Sequence, residues 1–176
     1  MKKIDIMILV AFFVCMATFA AVNVTDTLAR TNPATVYKSG DYKVNLEAYA
    51  TLDDFTFAIL SFDLSDPSYP VLSVQMSVKG HSAIINTSDY TFHMYLAGPA
   101  CVYSDLSRTA TGFKVTLNSV MVDYLINSTS SNLSTGTALL IDGDYSYQLN
   151  FYFYPNQLST AMKGARQKAL EKTSKM

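Results

Sequence analysis

The sequence predicts a mainly β fold, an antiparallel β-sandwich preceded by a transmembrane helix and followed by a short helix. Three observations carry that expectation. Apolar and polar residues alternate with a period of two from Tyr42 to Tyr154, the pattern of strands with one face buried. Only 15% of residues are charged, while 12 Tyr and 10 Phe supply bulky apolar surface; a typical soluble domain carries roughly 25% charge. An uncharged run from Ile6 to Val22 follows Lys2 and Lys3, which reads as a secretory targeting element.

The chain of 176 residues fits one domain. Four segments are expected: 1–22 as signal anchor or signal peptide, 23–41 as a stalk, 42–155 as the sandwich and 156–176 as a basic amphipathic helix or tail. As an anchor, residues 6–22 would span about 26 Å, slightly short of a hydrocarbon core of roughly 30 Å, and tilt or snorkelling of the two lysines would close the gap. As a cleaved peptide the segment offers Thr18-Phe19-Ala20 as a small-x-small site. Val14 before Cys15 does not fit a lipoprotein signal. The anchor is preferred, because the apolar run exceeds the roughly 7 to 15 residues of a signal peptide. The lysine pair places the amino terminus in the cytoplasm and the body outside a cell membrane; cleavage would leave a secreted domain instead.

Within the body, "YKVNLEA" (42–48) sets Tyr42, Val44, Leu46 and Ala48 against Lys43, Asn45 and Glu47. "FTFAILSF" (55–62) is apolar at nearly every position and suits a strand covered on both sides. After the turn material of 66–70 comes "VLSVQMSVKG" (71–80), in which Val74, Met76 and Val78 face inward and Gly80 permits a bulge. "YTFHMYL" (90–96), "FKVTLNS" (113–119) and "YSYQLNFYFY" (145–154) repeat the alternation. "SVMVDYLIN" (119–127) fits a strand and, as a second choice, a short helix across one end of the sandwich. "NSTSSNLSTG" (127–136) reads as a polar loop outside the core. From Asn156 the period changes, with Leu158, Met162, Ala165 and Ala169 on one helical stripe among Lys163, Arg166, Lys168 and Lys172.

Charge is unevenly placed. Residues 1–22 carry +1; residues 23–156 hold six basic and twelve acidic side chains, a balance of −6; residues 157–176 hold five basic and one acidic, a balance of +4. An acidic body argues against a nucleic-acid partner. The tail reads as a solvated or frayed helix, with contact to anionic lipid as the alternative.

No constellation for catalysis emerges. His81 and His93 are the two imidazoles, and neither stands in a metal-ligand spacing or beside a nucleophile elbow. Cys101 reads as a lone, partly buried thiol, since Cys15 lies in the targeting segment. Asp142-Gly143-Asp144 reads first as a hairpin turn; Asp142 and Asp144 are the weak calcium candidates. Four Asn-x-Ser/Thr triplets, at Asn23, Asn86, Asn127 and Asn132, are candidate glycan acceptors, and Asn86 to Asp89 read chiefly as a turn between strands.

The succession "SVKGHSAIINTSDYTFHMYLAG", "FKVTLNSVMVDYLI" and "LLIDGDYSYQLNFYF" resembles the water-stress and hypersensitive-response (WHy) domain of the late-embryogenesis-abundant type 2 family, over about residues 70–154. Thr87 stands where that family favours Pro. The resemblance implies an immunoglobulin-like sandwich, often behind one membrane helix. Together these readings predict a non-enzymatic structural or interaction module of the cell envelope with a protein partner, no cofactor and no metal. A carrier of lipid or another apolar ligand is the alternative, as is a component of an archaeal surface filament or its stator.

Overall fold

The computed structural model describes residues 33–50, 56–78, 81–82, 90–98, 100–142 and 145–175. Among them are eleven strands and two helices: β1 (Thr35–Lys38), β2 (Lys43–Ala50), β3 (Thr56–Asp63), β4 (Val71–Val78), β5 (His81–Ser82), β6 (Tyr90–Leu96), β7 (Ala100–Tyr103), β8 (Ser107–Thr109), β9 (Gly112–Thr116), α1 (Ser119–Asn127), β10 (Ser134–Asp142), β11 (Tyr145–Phe153) and α2 (Pro155–Thr173). The strands build two antiparallel sheets. A seven-stranded sheet runs β1-β2-β3-β4-β9-β8 with β5 also on β4, and a four-stranded sheet runs β11-β10-β6-β7. β4 shares one edge between two partners: Val71 to Val74 pair with β9, and Ser77 and Val78 with β5.

The two-residue period is what closes the core. Val44, Leu46 and Ala48 of β2, Ala58, Leu60 and Phe62 of β3, and Phe92, Met94 and Leu96 of β6 are all buried, together with Phe113, Leu149, Phe151 and Phe153. Phe92 meets Phe113 edge to face at 5.1 Å and stacks against Tyr103 at 6.5 Å between centroids, geometries that add to simple area burial. Burial pushes the Tyr103 phenol well above its ordinary pKa, so it stays a neutral part of the interior. The lone thiol Cys101 faces the same interior.

Several expectations change. Thr35 to Lys38, placed in the stalk by the sequence, form β1 and pair with β2 from Thr35↔Glu47 to Lys38↔Val44; four residues are too few for a visible alternation. In "FTFAILSF" the two sides are unequally covered among the described residues: Ala58, Leu60 and Phe62 are sealed in, while Phe57, Ile59 and Ser61 are half-buried. Residues 119–127 take the second choice and are helical. Asn118 caps α1, its side chain accepting from the Val120 amide at 2.8 Å, and Met121, Val122, Leu125 and Ile126 supply a buried stripe. The polar loop is shorter than predicted: Ser134, Thr135 and Gly136 already pair with Phe153, Tyr152 and Phe151. Gly136 is buried because its missing Cβ is the space occupied by the Phe151 ring, 2.5 Å from where that atom would stand.

The basic tail is a helix docked by its apolar stripe, with Lys163, Lys168, Lys172 and Lys175 exposed. α2 buries Leu158, Met162, Ala165 and Ala169 against the body, and Ser159 donates to the carbonyl of Ile126 in α1. Three of its cations meet acidic or aromatic groups of the body. Lys168 contacts Asp41 at 2.6 Å, Arg166 lies 3.9 Å from Asp123, and the Lys172 ammonium sits 5.4 Å above the Tyr42 ring. The +4 of the tail and the −6 of the body are thus partly matched within the molecule.

Two further glycines mark close approaches. A Cβ on Gly112 would lie 2.0 Å from the Val74 carbonyl oxygen, and one on Gly98 would lie 2.3 Å from the Tyr124 ring. Tyr124 reaches from α1 to donate its hydroxyl proton to the carbonyl of Ala97, which itself has φ 56°, a conformation uncommon for a residue with a side chain. At the other edge, the Ala34 amide donates to the Tyr152 carbonyl at 2.6 Å and links the two sheets.

Among the described residues no helix is long and apolar enough to cross a membrane. The predicted anchor, residues 6–22, lies outside the described residues, as do Gly80 and the Asn86 to Asp89 turn.

Candidate functional site

Strand alternation sends every second side chain of the seven-stranded sheet away from the core. On β2 these are Lys43, Asn45, Glu47 and Tyr49, and the register sets beside them Tyr37 of β1 and Phe57, Ile59 and Ser61 of β3. Gln75 and Ser73 of β4 continue the rows. The result is a broad outer face on which aromatic rings and polar groups interleave.

Its centre is a hydrogen-bonded cluster around Glu47. The Tyr37 hydroxyl donates to Glu47 Oε1, and the Tyr49 hydroxyl donates to Glu47 Oε2 at 3.0 Å. Asn45 Nδ2 donates to the Tyr37 oxygen at 3.0 Å, and its Oδ1 accepts from Ser39 Oγ at 3.1 Å. The Tyr49 and Phe57 rings lie 6.1 Å apart at 37°. Both phenols are held above the ordinary tyrosine pKa. For Tyr37 the Asn45 amide pulls downward and is outweighed by the Glu47 carboxylate that accepts the phenol proton and by lost hydration. For Tyr49 lost hydration acts first and the same carboxylate second. Both hydroxyls therefore stay protonated and act as donors rather than nucleophiles. This arrangement fixes the Glu47 carboxylate between two tyrosine hydroxyls.

The outer face of the four-stranded sheet is different. Thr137 Oγ1 and Gln148 Nε2 both donate to Asn150 Oδ1 at 2.9 Å, and Leu139 is 5% exposed although it points away from the core. His93 shares this face, 3.3 Å from Thr91 Oγ1 through its Nε2, and burial lowers its pKa. A shallow groove at the end of α2, lined by Asp41, Tyr42, Lys168, Glu171, Lys172 and Lys175, is bridged by its own ion pair and cation–π contact.

Some of the residues singled out by sequence lie among the described residues and some do not. Asn127 and Asn132 are both exposed, at the last residue of α1 and in the loop before β10. Asp142 ends β10 opposite Tyr145 and Tyr90; its side chain, Asp144, Asn23, Asn86 and the side chain of His81 lie outside the described residues. Among the described residues no group of three or more His, Cys, Asp or Glu side chains is placed to hold a metal.

Comparison with known proteins adds no relative. No family model, curated protein or solved structure matches the chain.

The Glu47 cluster is not visible in the sequence, because Tyr37 falls in the expected stalk and Asn45 and Glu47 show only as the outward side of one strand.

Proposed function

We propose that the protein is a non-enzymatic interaction module of the cell envelope, an extracytoplasmic sandwich held at the membrane by residues 6–22 and working through the outer face of its seven-stranded sheet. The observation that carries this reading is the contrast between a filled interior and a patterned exterior. Phe62, Phe92, Phe113 and Phe153 fill the space between the sheets, where an apolar ligand would have to enter, so filling counts against the carrier alternative. The outer face combines rings, amides and one oriented carboxylate, the mixture that protein interfaces favour. Exposure of Asn127 and Asn132 is what glycan acceptors on an extracytoplasmic surface require. The docked state of α2 leaves fewer of its cations for anionic lipid than the bare sequence implies, and lipid contact by the tail is secondary in this account.

Attachment decides how such a module works, because search along a membrane differs from diffusion outside the cell. Mass spectrometry of the intact native protein tests it. A chain retaining residues 1–22 is the expected result, and a mature amino terminus at Ala21 would replace the anchored module with a secreted one.

A further inference from the structure

The interaction-module reading leaves the partner's chemistry open, and the charges of the working face narrow it. Strand register sets the outward side chains in rows across the seven-stranded sheet. Asn45, Ser61, Ser73 and Lys114 form one row, and Glu47, Ile59 and Gln75 form the next. Lys43 and Asp63, also outward, pair with each other at 3.3 Å, and the other ion pairs join α2 to the body. Among the described residues, Glu47 and Lys114 are therefore the charges of this face without a partner of opposite sign. They stand on β2 and β9, three strand intervals or about 14 Å apart. Lys114 is exposed, and Ile59, Ser61, Ser73 and Gln75, which lie between the two charges, are half-buried.

A face with one free charge of each sign, placed on either side of a midline between β3 and β4, is complementary to itself. A two-fold axis along that midline, in the plane of contact, turns a second copy over and brings its Lys114 above Glu47 and its Glu47 above Lys114. Such an isologous contact repeats each complementary pair twice. The offset of one row lies within reach of the flexible lysine stem. Small side chains at the centre, Ser61 and Ser73, let two sheets approach, and Ile59 supplies apolar contact beside them. A foreign partner matched to Glu47 alone would leave Lys114 unanswered. The net charge of −1 over the whole chain sets little long-range repulsion between copies. At about 4.8 Å per strand and 3.4 Å per residue, β1 to β4 and β9 offer on the order of 500 Å² on each copy, or about 1,000 Å² between two, the lower bound for a specific contact. Holding both copies in one membrane raises their effective concentration. Resting on the interaction-module reading, we infer that the partner on this face is a second copy of the chain, packed face to face through two reciprocal Glu47–Lys114 contacts.

Sedimentation equilibrium of the full-length chain in density-matched detergent micelles tests this. The native chain is expected to form a reversible dimer with a dissociation constant below about 1 mM. Glu47→Lys and Lys114→Glu each set like charges against one another, and each is expected to weaken association at least about tenfold. An equimolar mixture of the two variants restores opposite charges at both contacts, as does the doubly substituted chain, and both are expected to associate nearly as tightly as the native protein. Rescue in the mixture separates lost charge from lost folding. A native chain that stays monomeric, a single variant that associates like the native chain, or a mixture without rescue overturns the inference. A monomeric native chain whose capture of other envelope proteins is still lost in Glu47→Arg overturns the second copy and leaves the interaction module standing. The rescue pattern in a native chain that begins at Ala21 supports the second copy while the membrane-held module fails.

Discussion

Phe92 and His93 are neighbours on β6, and so are Leu46 and Glu47 on β2, yet each pair is divided between two environments. Phe92 and Leu46 are fully buried; His93 and Glu47 point outward and retain contact with water. One step along a strand reverses the side chain's direction, so fold and function can be carried by interleaved residues of the same strands. The inner set decides whether the sandwich exists. In the proposed function, the outer set decides what it meets.

The largest test of that division is Phe92→Ala. It removes a ring in contact with both Tyr103 and Phe113 from a fully sealed site, and chemical denaturation is expected to show a loss of about 3–5 kcal/mol. A loss below about 1 kcal/mol would mean that the interior is loosely packed and would reopen the carrier alternative. His93→Gln, one residue away, should change stability at neutral pH by no more than about 0.5 kcal/mol. Its effect lies in the pH dependence. Because burial lowers the folded-state pKa of His93, the unfolded chain takes up a proton first as pH falls below about 6.5. Stability should then decline from that pH downward until the folded-state value is passed, and the decline should be shallower in His93→Gln. An unchanged slope would contradict a half-buried imidazole on this face.

Much of the sandwich was legible because period-two patterns are local. The strands at Tyr42, Val71, Tyr90, Phe113 and Tyr145 each announce themselves within seven to ten residues, and most of their inward members are buried, whereas Tyr42, Tyr90 and Tyr147 are half-buried and Ser146 of the outward set is buried. The short strands were not legible. β1, β5, β7 and β8 have two to four residues each, and their pairing comes from partners distant in sequence. For α1 the ambiguity was physical: Val120, Met121, Tyr124 and Leu125 satisfy both periods, and the Asn118 cap together with the Tyr124 contact at Ala97 and Gly98 accompanies the helical outcome. The docking of α2 was hidden because a small stripe of Leu158, Met162, Ala165 and Ala169 looks weak until the acidic and aromatic partners of its lysines are placed beside it. The same limit applied to the candidate surface. Tyr37 and Glu47 are ten residues apart, and only the β1–β2 register brings them into contact.

The central claim is that the outer face of the seven-stranded sheet, rather than the rest of the exterior, is the working surface. Its most direct test is partner capture from detergent-solubilised native membranes by three full-length chains: the native protein, Glu47→Arg on that face, and Val102→Arg on the opposite sheet, where Val102 is 59% exposed. Both substitutions add one arginine to an outward-facing strand position and leave the core untouched. The account predicts that Val102→Arg retains the partners of the native protein and that Glu47→Arg loses them. Retention by Glu47→Arg, or loss in Val102→Arg alone, would contradict it.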